Sequence, residues 1–120
     1  MVRSGPTDPN TRALINALKK ISTKQDARIW RRVAELLSRP TRQRAAVNVG
    51  KIARYTQDGD VVVIPGKVLG SGSISHKVTV AALNSSASAR SVIVGAGGSL
   101  ISIDELLDKI PKGTGITIIT

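Results

Sequence analysis

The 120-residue sequence predicts an α/β protein, a single compact domain with an irregular core and an N-terminal basic helical arm. Three observations predict it. Apolar residues recur at helical spacing before Pro40, whereas short β-branched runs and two-residue alternation dominate after Gly59. Strand and helix patterns then alternate in units too short for a regular doubly wound sheet. Charge divides the chain at the same place. Residues 1–57 hold 13 Lys/Arg against Asp8, Asp26 and Glu35, whereas residues 58–120 hold five basic and five acidic residues. The expected organisation is therefore a basic N-terminal helical arm and linker over 1–57 and a compact α/β core over 58–120, one domain overall.

Residues 1–7 read as an irregular basic tail. Asp8-Pro9 is a helix start, with Asp as N-cap and Pro pre-set at the first helical position. Ala13, Leu14, Ala17, Leu18 and Ile21 form one apolar stripe, with Arg12, Lys19 and Lys20 turned largely away. Ser22-Thr23-Lys24-Gln25 has the form of a capping box for a second helix. That helix carries Ile29, Trp30, Val33, Ala34, Leu36 and Leu37 inward, and Arg28, Arg31, Arg32, Glu35 and Arg39 outward. Pro40 ends it, because proline pushes the preceding residue out of the α region. The two stripes are expected to dock on the core. Residues 40–46 form a basic linker with Arg42 and Arg44. Val47 and Val49 then alternate as in a strand, Gly50 breaks it, and Ile52 with Tyr55 forms the inner side of one helical turn bearing Lys51 and Arg54.

The neutral half opens with Val61–Ile64, four β-branched residues that favour a buried strand. Pro65-Gly66 is expected to be a turn presenting Lys67, with a second break at Gly70-Ser71-Gly72. Ser75–Leu83 alternates Val78, Val80 and Ala82 on one face of a strand, with His76 and Lys77 near its start. Ser85-Ser86 caps a short helix through Ile93, and Gly95–Gly98 is a turn. Ser102-Ile103-Asp104-Glu105 is a capping box with both acids in the first helical turn, where the helix dipole favours them. Pro111 and Gly113 end that helix, and Gly115–Thr120 is a terminal strand.

Composition excludes several classes of function. There is no cysteine, so no disulfide framework and no thiolate metal site. His76 is the only histidine. No apolar run is long enough for a membrane span, and no apolar leader is apparent. Gly66-Lys67 fails as a phosphate loop, because Val61 and Val68 stand where a glycine and a magnesium-binding hydroxyl are required. Gly95-Ala96-Gly97 fails as a dinucleotide fingerprint at Leu100. No nucleophile elbow precedes a helix. The reading is no enzyme, no cofactor and no metal. A pI near 11 on a foldable chain points instead to a polyanion, nucleic acid before membrane. With only Trp30 and Tyr55 aromatic, and Trp30 on an apolar stripe, base-stacking modules are disfavoured. Contact with phosphates through Lys and Arg remains.

The motifs also carry a resemblance. Asn48–Ile52 (N-x-x-K-I), Pro65–Gly70 (P-G-K-V-L-G) and His76–Ala82 (H-K-V-x-V-A-A), in this order, resemble the archaeal and eukaryotic large-subunit ribosomal protein family numbered eighteen, the e type. This family is a relative of the bacterial large-subunit family numbered fifteen. The resemblance covers about residues 8–120. It implies irregular strand-strand-helix turns, a structural role in the cytoplasmic ribosome and no catalysis. It further implies large-subunit ribosomal RNA and neighbouring large-subunit proteins as partners, with no membrane and no small-molecule substrate. The lack of a basic extension after Thr120 favours an archaeal source.

Charge and resemblance together nominate Arg3, Arg12, Arg28, Arg31, Arg32, Arg39, Arg42, Arg44, Lys51, Arg54, Lys67, His76 and Lys77 as ribosomal RNA-binding residues. Net charge alone equally allows a small chromatin-type DNA-binding protein.

Overall fold

The structure, a computed structural model, describes residues 9–39 and 45–120. Asp8, Arg3, Arg42 and Arg44, with the tail and most of the basic linker, lie outside the described residues. Among the described residues, five helices and five strands follow in the order α1 (Pro9–Gln25), α2 (Arg28–Leu37), β1 (Ala45–Asn48), α3 (Val49–Tyr55), β2 (Asp60–Leu69), β3 (Val78–Ser85), α4 (Ala87–Gly95), β4 (Ser99–Ser102), α5 (Ile103–Lys109) and β5 (Ile116–Ile118). All strand pairs are parallel. The sheet runs β1-β2-β3-β4, and β5 also pairs with β2.

Helices cover both faces of the sheet, as parallel strands require. On one face α1, α2 and α5 bury Leu14, Leu18, Trp30, Val33, Leu37 and Leu106 against Val63 and Ala81. On the other, α3 and α4 bury Val49, Ile52, Ala89 and Ile93 against Val62, Ile64, Val68, Val80 and Ala82. The expected docking of the two N-terminal stripes is observed. Trp30 is fully buried, and its indole N–H donates to the Pro111 carbonyl at 2.8 Å. Gly113 closes over the same ring, with no room for a Cβ beside Ile29.

Several local expectations are corrected. Ser22–Gln25 does not cap α2; it is the last turn of α1, where Thr23 Oγ1 donates to the Lys19 carbonyl. The Ala27 amide reaches back to the Ser22 carbonyl at 3.0 Å across Asp26, whose φ is +50°. This is the Schellman closure, with aspartate in the left-handed position that usually takes glycine. Pro65-Gly66 is not a turn between two strands. β2 runs through it, and the two residues oppose only Leu83 in a bulge between Ile64↔Ala82 and Lys67↔Asn84. On the opposite edge, β5 pairs with Val61–Val63 and β1 begins pairing at Gly66. Pro65 therefore sits where neither neighbour needs its missing N–H, which is how proline enters a central strand. Ser99–Ser102, not expected as a strand, becomes β4 by pairing with Thr79–Ala82. The strand over 75–83 instead begins at Val78. The caps at Ser86 and Ser102 form as expected, accepting from the Ala89 and Glu105 amides.

The connection from β2 to β3 has no helix. Residues 70–77 must return from Leu69 to the level of Asp60, which is paired with Val78. The return is roughly 26 Å of strand rise, and nine Cα steps reach roughly 30 Å when extended. The segment is thus a largely extended strap across the α3–α4 face, bent at Gly72 and at His76, and its residues face alternately in and out. Gly70 packs on Ser88 and Ala89, Gly72 on Gly50, Ile74 in the core and His76 on Thr56. Ser71, Ser73, Ser75 and Lys77 face outward.

Candidate nucleic-acid interface

Helix α2 separates its chemistry by face. Trp30, Val33, Ala34 and Leu37 are consumed by the core, so Arg28, Arg31 and Arg32 are forced outward at helical spacing, and Arg39 follows just beyond the helix. Glu35 is the only acid on this face, and it pairs with Arg32 at 3.4 Å with both side chains about half exposed. An exposed (i, i+3) pair of this kind contributes only a few tenths of a kcal/mol and leaves the face cationic. The α1–α2 elbow holds an open groove edged by Ser22, Thr23, Arg28, Arg31 and Arg32, with the acids Asp26 and Glu35 also on its rim. Lys19 of α1 flanks Arg31 there. Lys19 was not nominated, although its place on the polar side of the α1 stripe was legible. Arg12 is exposed on the same helix, about two turns earlier.

A second basic site lies across the sheet, between α3 and the strap. Val49, Ile52 and Thr56 face inward, so Gly50, Ala53 and Arg54 form one wall and Ser71–Ser73 the other. Two reciprocal bonds hold the walls together. Asn48 Oδ1 accepts from the Ser71 amide at 3.3 Å, and the Ser71 carbonyl accepts from the Gly50 amide at 3.0 Å. Gly50 is thus inside α3 rather than a break before it, and one unpaired amide of the helix start is satisfied by the strap. A Cβ on Gly72, whose φ is +91°, would lie 2.6 Å from Gly50 Cα. Lys51 is half-buried at this groove and donates to the Thr120 backbone oxygen. Tyr55, expected on the inner side with Ile52, is 65% exposed. The inner position at that end of α3 belongs to Thr56, four residues after Ile52 and so directly above it.

The two motif lysines are not brought together. Lys67 is exposed near the C-terminal end of β2, in register with Ala46 and Asn84. Lys77 precedes β3 at the other end of the sheet, seven residues before Asn84, the partner of Lys67, and so roughly 23 Å distant. The Lys77 amide donates to Asp58 Oδ1 at 2.9 Å, and its aliphatic stem lies over Gly97. His76 has a structural contact. Its Nε2 is 2.7 Å from the Thr56 hydroxyl, which spends its one proton on the Ile52 carbonyl at 2.7 Å. The hydroxyl must therefore accept from His76, which fixes the Nε2–H tautomer. Among the described residues no three acidic, histidine or cysteine side chains gather as a metal site, and no helix is long and apolar enough to cross a membrane.

The family model described as "Ribosomal protein 60S L18 and 50S L18e" matches residues 3–120. Two proteins named "Large ribosomal subunit protein eL18", from Methanococcus maripaludis and Archaeoglobus fulgidus, are each 49% identical to the chain. The first match covers 93% of both chains, and the second 92% of this chain and 94% of its relative. A third of the same name, from Pyrobaculum aerophilum, is 44% identical over 97% of this chain and 95% of its own. With a family model spanning nearly every residue and relatives of matching length, the chain belongs to the ribosomal protein 60S L18 and 50S L18e family.

Proposed function

We propose that the chain is a structural constituent of the large ribosomal subunit that binds ribosomal RNA through Lys and Arg contacts to phosphates and so stabilises the folded RNA. One observation carries this: the apolar faces are consumed in two cores, and the excess charge is left on outward faces on both sides of the sheet. Arg28, Arg31 and Arg32 face out from one layer and Arg54 from the other, with Lys67 and Lys77 at opposite ends between them. Cations dispersed around a rigid frame suit a protein surrounded by RNA rather than one gripping a single duplex groove. The relatives' names supply the large subunit as the setting. Ribosomal RNA and neighbouring large-subunit proteins are the proposed partners, and residues 1–57 supply most of the phosphate contacts. The role is one of architecture, not catalysis.

The test is the salt dependence of binding to large-subunit RNA. If about six phosphates are neutralised, the log–log slope is expected to be on the order of −5. A slope near zero removes the proposal. Equal affinity for folded ribosomal RNA and duplex DNA at matched salt would favour the general DNA-binding alternative that net charge allows.

A further inference from the structure

Helix α3 carries a combination found nowhere else among the described residues. Lys51, Arg54 and Tyr55 share its outward arc, since residues three and four apart are surface neighbours on a helix. Tyr55 is the only exposed aromatic in the described chain, 65% exposed, whereas Trp30 is fully enclosed with its N–H satisfied. No acid occurs between Val49 and Gln57. Lys51 and Arg54 also line the groove beside the strap, whose other walls are Ala46, Asn48 and Ser71–Ser73. The serine hydroxyls there are neutral polar groups, while the Ser71 amide and carbonyl are already engaged by Asn48 and Gly50. The bond from Lys51 to Thr120 uses one of three ammonium donors and fixes the side chain at the rim.

We propose that this face is a site for an unpaired RNA strand: the strand lies along the α3–strap groove with phosphates on Lys51 and Arg54, and one splayed base stacks on Tyr55. Aromatic faces beside cations are the chemistry that separates single-strand contact from duplex contact, because a base inside a helix has no free face to offer. The proposal rests on the ribosomal RNA reading above and deepens it, adding base contact to a surface otherwise read as phosphate-binding. The test uses the full chain with a single-stranded oligoribonucleotide about ten nucleotides long and a duplex RNA of equal length. Tyr55→Ala is expected to weaken single-strand binding by about tenfold, and Tyr55→Phe by less than about twofold, as a stacking contact predicts. Duplex binding should be unchanged by either. Unchanged single-strand binding in Tyr55→Ala, or an equal loss for both RNAs, overturns the stacking site. Either result leaves the steep salt slope of the wild type intact, whereas a flat wild-type slope overturns the broader RNA reading instead. Because Tyr55 is 65% exposed and belongs to neither buried cluster, the melting temperature should not move; a matching drop in Tyr55→Ala and Tyr55→Phe would show a structural role and refute the site.

Discussion

On one face of the sheet α1, α2 and α5 meet through full-sized side chains, with Trp30 at the centre and Leu14, Leu18, Leu37 and Leu106 around it. On the other, α3 and α4 bury an aliphatic cluster without any aromatic, and the strap crosses them where Gly70 and Gly72 come within a Cβ of their neighbours. The first face is sealed by apolar area removed from water, which tolerates small shifts in shape. The second also buries apolar area, but its strap is held by close approach and a few hydrogen bonds, which do not. The difference shows how a chain with only two aromatic residues closes two cores. It concentrates its largest side chains on one side, and on the other packs valine and isoleucine beneath a strap whose glycines bring backbone against backbone.

Substitutions on either face can break or sharpen that contrast. The largest effect is expected from Trp30→Ala, which removes the biggest buried side chain and leaves the Pro111 carbonyl without its donor; the loss should be about 4 kcal/mol in chemical denaturation. A loss below about 1 kcal/mol would mean the helical face is not anchored there. Next comes Gly72→Ala, where one methyl group meets Gly50 at a φ of +91°. About 2–3 kcal/mol is expected from strain and overlap, against a near-zero change for the neighbouring outward Ser73→Ala. Equal, small effects at the two positions would show that the strap is not held by contact. Smallest is His76→Ala, about 1 kcal/mol, since the Thr56 hydroxyl keeps its bond to Ile52 and loses only the imidazole. Amide exchange at the end of α3 should report it first.

What was legible in the sequence was whatever depends on neighbours close in the chain. The stripes of α1 and α2, the serine caps of α4 and α5, and the β-branched start of β2 follow from spacing and local bonding. The Asn48–Ile52 and Pro65–Gly70 motifs were visible as patterns, but their physical purpose was not. Asn48 serves a residue 23 positions later, and Pro65 is tolerated because of where β1 and β5 happen to end. Ser22–Gln25 misled because a good cap was overridden by one more helical turn and a closure at Asp26. For the cationic surface, which residues face outward was legible, since α2 follows its period. That Lys67 and Lys77 stand at opposite ends of the sheet was not, since nothing in the sequence announces that a connection without a helix will run extended back along it.

That stretch makes the strap a ruler. A looped or helical crossover has slack, so its strands can lengthen or slip while the ends still meet. Here the span is nearly taut, and both its length and its two-residue beat are set by what it crosses. Removing one residue would leave it short and invert the facing of the residues on one side of the deletion. Adding one to β2 and β3 would demand a longer strap in the same step. The segment therefore gauges the height of the sheet and, through it, the distance between the two lysines carried at its ends.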